Sequence, residues 1–253
     1  MLFLLEPGFG EMKFEYDIVK NVLRNTRQHD FETVGLENIG NGLWDRYKEK
    51  AIPIGSLQYV QKWMQHFFQI DRLNPMEIPF CLQSDYYLKR KYEIVSYDEL
   101  PVSGCWFIKD VSEMKSMTHI GNKIDLLKTA DPEHIYQCSE YVQNIRAEYR
   151  LYFIGGKLEN VCNYYGDPAC NIDFDLVLSA DKKMKTFDNY PRSYIMDVMV
   201  TPRGTALIEL HPFVGIGLYS TLWGENLLNA YADGIHYLRY FNTPCTEGRR
   251  LIV

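Results

Sequence analysis

The sequence predicts an α+β protein in which an N-terminal α/β lobe precedes two α+β lobes that close on a ligand. Three observations support this expectation. The opening of the chain alternates strand and helix patterns. The prolines between Asn74 and Pro79 then interrupt the pattern and separate the first lobe from the second. From Ile145 onward the pattern changes to two hairpins, and a helix closes the fold. The expected division is residues 1–80, 81–136 and 137–253.

The elements come in chain order. Met1-Leu2-Phe3-Leu4-Leu5 reads as a buried strand that stops at Glu6-Pro7-Gly8. A helix is expected between Lys13 and His29, with Phe14, Ile18, Val22 and Leu23 on one face. Gly35 to Gly42 is loop-like. Ala51-Ile52-Pro53-Ile54 forms a short strand, and Ser56 caps a helix through Phe68 on which Val60, Trp63, Met64 and Phe67 recur at helical spacing. Cys105-Trp106-Phe107-Ile108 is a buried strand ending on Lys109. Ile145–Ile154 and Lys157–Tyr164 flank a Gly-Gly turn. Ser193–Val200 and Thr205–Leu210 flank Thr201-Pro202-Arg203-Gly204, and Leu222–Phe241 is helical in pattern.

Composition narrows the function classes. With 46% hydrophobic and 24% charged residues, the chain is a globular protein with a sizeable core rather than a disordered one. The net charge of −6 argues against broad nucleic-acid binding, which needs a basic face. The six cysteines form no C-x-x-C pair, which argues against a zinc site, and some lie in apolar runs, so free thiols are expected. The apolar start lacks a basic flank and is too short for a signal peptide or a membrane span. A cytoplasmic protein without membrane contact is expected.

The strongest chemical signal is Asp197, Glu209 and His211. If their segments pair across the Pro-Arg-Gly turn, the two carboxylates lie on neighbouring strands. Glu209 and His211, two apart, share a face. Carboxylates that converge inside an apolar hairpin repel unless a cation lies between them, and hard oxygen donors suit magnesium. The alternative is a pair of strands whose polar residues face solvent. Lys109, at the end of a buried strand, is placed for a phosphate in a cleft, or else is a solvated strand end. Gln137-Cys138-Ser139-Glu140-Tyr141-Val142, followed by Glu148, is an amphipathic strand by pattern.

Taken together, these segments resemble the ATP-grasp superfamily over roughly Ile52 to Tyr237. Ile52 to Leu57 and Lys109 to Lys115 look like a group of small ATP-grasp proteins often encoded by phages or mobile elements. The acidic hairpin resembles the end of that domain, where an Asp and a Glu-x-Asn hold magnesium. The resemblance makes Asp197 and Glu209 metal ligands. His211 stands where the family has Asn, so it is either a third ligand or a group that orients phosphate or Glu209. The family often has an Arg two residues before the Asp; this chain has Ile195, and Arg150 is the candidate for that phosphate-binding cation. Lys109, and Lys115 six residues on, resemble contacts to nucleotide phosphate, although the glycine-rich loop common there is absent. The segment from Gln137 resembles the interlobe linker, which implies that Glu140, Tyr141 and Val142 meet the adenine edge and that Glu148 meets the ribose.

The implied cofactors are ATP and magnesium. The implied activity is a carboxylate–amine ligase that works through an acyl-phosphate, releases ADP and phosphate, and takes small-molecule or peptide substrates. An ATP-grasp kinase acting on a small acceptor and a non-catalytic nucleotide-binding module stay open. Asp197→Asn is expected to abolish turnover and leave the fold intact, because volume barely changes.

Overall fold

The computed structural model describes residues 1–8, 13–42, 45–47, 50–187, 190–220 and 223–242. Three sheets organise them. The first is parallel, in the order β2-β1-β3, from β1 (Leu2–Leu5), β2 (Asp30–Thr33) and β3 (Ala51–Ile54). Its two faces separate by strand parity. Phe3, Leu5, Ile52 and Ile54 join one core cluster, whereas Leu4 and Ala51 join another with Tyr59, Trp63 and Phe67. A parallel sheet covered on both faces needs apolar residues at every position, which is why β1 and β3 read as continuous apolar runs.

Helix α1 (Lys13–Thr26) links β1 to β2, and α2 (Leu57–Phe68) comes after β3. Ser56 caps α2 as its side chain accepts from the Tyr59 amide at 3.2 Å, while the Ser56 amide donates to Glu6 Oε2 at 2.6 Å. The α1 face differs from expectation. Phe14 is 45% exposed, and the buried positions are Glu15, Ile18, Val19, Val22 and Leu23. Glu15 Oε1 accepts the Leu218 amide at 3.3 Å, which ties the first turn of α1 to the segment after the last strand.

After α3 (Asp85–Leu88), the second sheet is antiparallel, in the order β4-β7-β5-β6. It contains β4 (Tyr92–Ser96), β5 (Trp106–Asp110), β6 (Thr118–Gly121) and β7 (Ile135–Glu140). Ile108 and Cys138 pair directly and point into a small core with Leu100, Leu126 and Tyr136. The next pair, Lys109 opposite Gln137, therefore faces the other way.

The third sheet has the order β11-β10-β8-β9, all antiparallel. Its strands are β8 (Ala147–Ile154), β9 (Lys157–Gly166), β10 (Tyr194–Thr201) and β11 (Gly204–Pro212). One face is apolar: Ala147, Tyr149, Leu151, Phe153, Tyr194, Met196, Val198, Val200, Leu207 and Leu210 pack with Leu176, Val177, Ala180 and Met184 of α4 (Phe174–Met184). At its other face Tyr152, Ile154 and Ile195 join the core that α1 and α5 (Asn226–Asn242) share with the first sheet. Leu222, where the sequence placed the start of the last helix, lies outside the described residues, as does Cys245. The five described cysteines are free thiols. No described helix is long and apolar enough to cross a membrane.

Candidate nucleotide and metal site

Sheet register assembles the site. Arg150 on β8 lies directly opposite Asp197 on β10, and Asp197 lies directly opposite Glu209 on β11. The three form one cross-strand row on the face opposite Leu151, Met196 and Leu210. The next row on that face places His211 opposite Ile195 and Ile195 opposite Tyr152. One ligand atom each from Asp197, Glu209 and His211 lies within 4.8 Å of the others. That spread matches donors around a single divalent cation.

Simple alternation along β11 would not produce this row. Thr205 and Leu207 face the apolar side, so Glu209 would follow them there. The register shifts between Asp197 and Val198, leaving Ile208 as the extra residue of a β-bulge. The bulge reverses the parity, so Leu210 returns to the apolar core and Glu209 turns to face beside Asp197.

Cations of the chain surround the acidic pair. Arg150 chelates Asp197, with Nε to Oδ1 at 2.9 Å and Nη2 to Oδ2 at 2.7 Å. Burial would lower the Arg150 pKa, but the hydrogen bonds and charge of Asp197 overcome it and raise that value. Lys109 Nζ reaches across from the second sheet to Glu209 Oε2 at 2.5 Å, and His211 Nε2 meets Glu209 Oε1 at 2.7 Å. Burial alone would raise the Glu209 carboxyl. The hydrogen bond and charge of His211, with those of Lys109, instead hold it well below the usual carboxylate range.

The other expected residues fall into two groups. Lys115 and Glu148 border the row. Lys115 Nζ donates to the Gly215 carbonyl at 2.6 Å, and desolvation together with the Arg150 charge pulls its ammonium below the ordinary value. Glu148 lies two residues before Arg150, on the same face. Burial raises its carboxyl, a Tyr164 hydrogen bond opposes that, and the charges of Asp197 and Glu209 add to it. Glu140, Tyr141 and Val142 are separate from the row. Glu140 ends β7 opposite Trp106, and Tyr141 and Val142 lie in the irregular segment that connects β7 to β8. Gln137 to Glu140 is thus strand, so the linker proper begins at Tyr141.

Several neighbours were not foreseen. Tyr164 and Tyr219 stack at 5.4 Å, and the Arg150 guanidinium lies 5.6 and 5.0 Å from their rings. The Gly217 carbonyl accepts from Arg150 Nη1 at 3.4 Å and from the Tyr152 hydroxyl at 2.9 Å. The carbonyls of Gly215 and Gly217 thus receive Lys115 and Arg150. Asp110 is buried and accepts from the Ser112 amide at 2.9 Å and the Ser116 hydroxyl at 2.8 Å; its Oδ2 also lies 2.8 Å from His134 Nδ1. It folds the loop between Lys109 and Lys115 around itself. A single acidic residue after a strand gave no hint of that.

Similarity to known proteins agrees with this architecture. The model of the ATP-grasp domain, R-2-K clade family 2, matches residues 87–225, more than half of the chain. No curated protein matches it in sequence. Among solved structures, the D-cycloserine synthetase DcsG superposes with a TM-score of 0.56 at 11% identity, covering 95% of this chain and 99% of that one. The D-alanine–D-alanine ligase from Bacillus anthracis complexed with ATP gives 0.55 at 13% identity, covering 98% and 99%. D-alanyl-alanine synthetase A from Vibrio cholerae gives 0.55 at 11%, covering 95% and 99%. At such identities the likeness is one of fold, and it extends over nearly the whole chain. The chain belongs to the ATP-grasp superfamily, in family 2 of that clade.

Proposed function

We propose that the chain is a magnesium-dependent ligase that joins a carboxylate to an amine through an acyl-phosphate, converting ATP to ADP and phosphate. The observation that supports this best is the Arg150–Asp197–Glu209 row, closed by Lys109 from the facing sheet. The fold it shares with a D-alanine–D-alanine ligase and a D-cycloserine synthetase also supports the reading.

The donor set fits magnesium: two carboxylates on adjacent strands, one held ionised, with an imidazole beside them. Asp197 and Glu209 would hold the ion, with His211 as a third donor or as the partner that orients Glu209. When bound, magnesium neutralises charge on the terminal phosphates of ATP and makes the γ-phosphoryl group easier to transfer.

The chain's own residues do the rest. Arg150 fixes Asp197 in one orientation by a two-point contact. Lys109 exchanges Glu209 for a phosphate oxygen when nucleotide enters, which frees a carboxylate oxygen for the ion. Lys115 is the second phosphate contact, and Glu148 receives the ribose hydroxyls. The linker residues Tyr141 and Val142, with Glu140 before them, meet the adenine edge. A substrate carboxylate attacks the γ-phosphorus and ADP leaves. The amine then attacks the acyl carbon and phosphate leaves, with a proton released from the nitrogen. Positioning and charge neutralisation supply most of the acceleration.

One observation favours a second reading, a non-catalytic nucleotide-binding module: the chain's own cations already engage both carboxylates. Incubation with ATP, magnesium and a metabolite extract, with mass spectrometry of the products, separates the readings. A ligase yields ADP, phosphate and an amide. AMP as the nucleotide product overturns the acyl-phosphate route. A stable phospho-product without amine identifies a kinase, and unchanged ATP supports the module.

A further inference from the structure

We propose that Arg90 is a positioning residue for Glu209: its buried side chain holds the β-bulge that turns Glu209 onto the site face. The inference rests on reading Asp197 and Glu209 as ligands of a divalent cation.

Arg90 lies between α3 and β4, and only 8% of it is exposed. Its Nη1 donates to the carbonyls of Leu207 at 2.7 Å and Leu88 at 3.1 Å, and its Nη2 donates to the Ile208 carbonyl at 3.3 Å. Ile208 is the bulge residue and Leu207 is the last residue before the parity reverses. A bulge interrupts the ladder and deprives main-chain carbonyls of cross-strand donors. Arg90 supplies donors there. Among the described residues no carboxylate forms an ion pair with it, and main-chain carbonyls accept its hydrogen bonds. Burial lowers its pKa to about 10, which leaves it cationic at neutral pH.

A buried guanidinium without a counter-ion is costly to keep in a core. General packing does not require it, since an apolar side chain would fill that volume. Its donors meet two successive carbonyls of β11, one step before a proposed ligand. A second tie reinforces the hairpin: Arg203, at the β10–β11 turn, donates to the Lys89 carbonyl and pairs with Asp85 at 2.8 Å. In sequence, Lys89-Arg90-Lys91 reads as a solvated basic run. The structure buries only its middle member.

The test uses Mn²⁺ as probe, with free ion followed by electron paramagnetic resonance in the presence of ADP. Arg90→Met keeps the bulk and removes every donor. Arg90→Lys keeps the charge but cannot span two carbonyls. Loss of an orienting contact to a metal ligand typically weakens metal affinity about 10–100-fold. That loss is expected for Arg90→Met, with a smaller one for Arg90→Lys, while adenosine affinity without metal stays at the wild-type value. A purely structural role would lower the melting temperature and leave Mn²⁺ affinity unchanged. Folded variants that bind Mn²⁺ as tightly as wild type overturn the inference, as does an equal loss of adenosine affinity. If Arg90→Met does not fold, Arg90→Lys decides alone. Wild-type protein that binds no Mn²⁺ overturns the metal reading and this inference with it.

Discussion

Asp197 is the most consequential single residue, because two demands meet on one carboxylate that is only 1% exposed. Removing its charge removes a proposed metal ligand and also deprives the partly buried Arg150 of its carboxylate partner. The expectation that Asp197→Asn leaves the fold untouched considered volume alone, and the pair with Arg150 changes it. Breaking a buried ion pair by removing one partner costs about 3–5 kcal/mol. Urea denaturation of Asp197→Asn should show a loss of that order, and turnover should fall by about 10³-fold or more. A variant as stable as wild type would mean that the Arg150 contact contributes little. The acidic residues were legible in the sequence because carboxylates are rare in apolar hairpin strands. His211 was read there as a group that could orient Glu209, whereas the pairing of Arg150 with Asp197 and of Lys109 with Glu209 was not legible. Arg150 meets Asp197 only because β8 and β10 are sheet neighbours, and β9 and α4 separate them in the chain.

At the scale of elements, legibility in the sequence depends on how each element buries its residues. Strands β1, β3, β8 and β10 have the apolar runs or alternation that core packing demands. Strand β2 does not: its residues Asp-Phe-Glu-Thr form a mostly exposed edge. Helix α4 did carry signals, namely Asp173 as its cap, accepting the Leu176 amide at 3.0 Å, and Leu176, Val177, Ala180 and Met184 at helical spacing. The bulge at Ile208 has no local signal, since Ala-Leu-Ile-Glu-Leu-His reads as regular alternation. The loop from Val111 to Lys115 gives an element-scale prediction. Asp110→Asn replaces an acceptor of three contacts with a group that must donate on one side. Leaving a polar atom of the buried side chain at position 110 unsatisfied costs about 1–3 kcal/mol. Calorimetry should then show ATP affinity falling about tenfold, because Lys115 and Lys109 lose their fixed spacing. Unchanged affinity would show that Lys115 does not need this loop.

At the scale of the molecule, the site belongs to no single sheet. Lys109 comes from the second sheet and Glu209 from the third, 100 residues later, and their contact closes the space between the two. Element order in the sequence carries the expectation of lobes that grip a ligand between them. Strand order and register decide which faces look inward, and these depend on long-range pairing that no local pattern encodes. The proposed chemistry turns on Asp197 and Glu209 holding a magnesium ion on which ATP binding depends, with Lys109 moving from Glu209 to phosphate. The decisive measurement is calorimetric titration of ATP into wild type and Glu209→Gln, each with magnesium and with chelator. Magnesium is expected to tighten ATP binding to wild type by tenfold or more, about 1.4 kcal/mol, and Glu209→Gln is expected to lose this gain. ATP binding that is equally tight in chelator, or a magnesium gain that survives in Glu209→Gln, would contradict it.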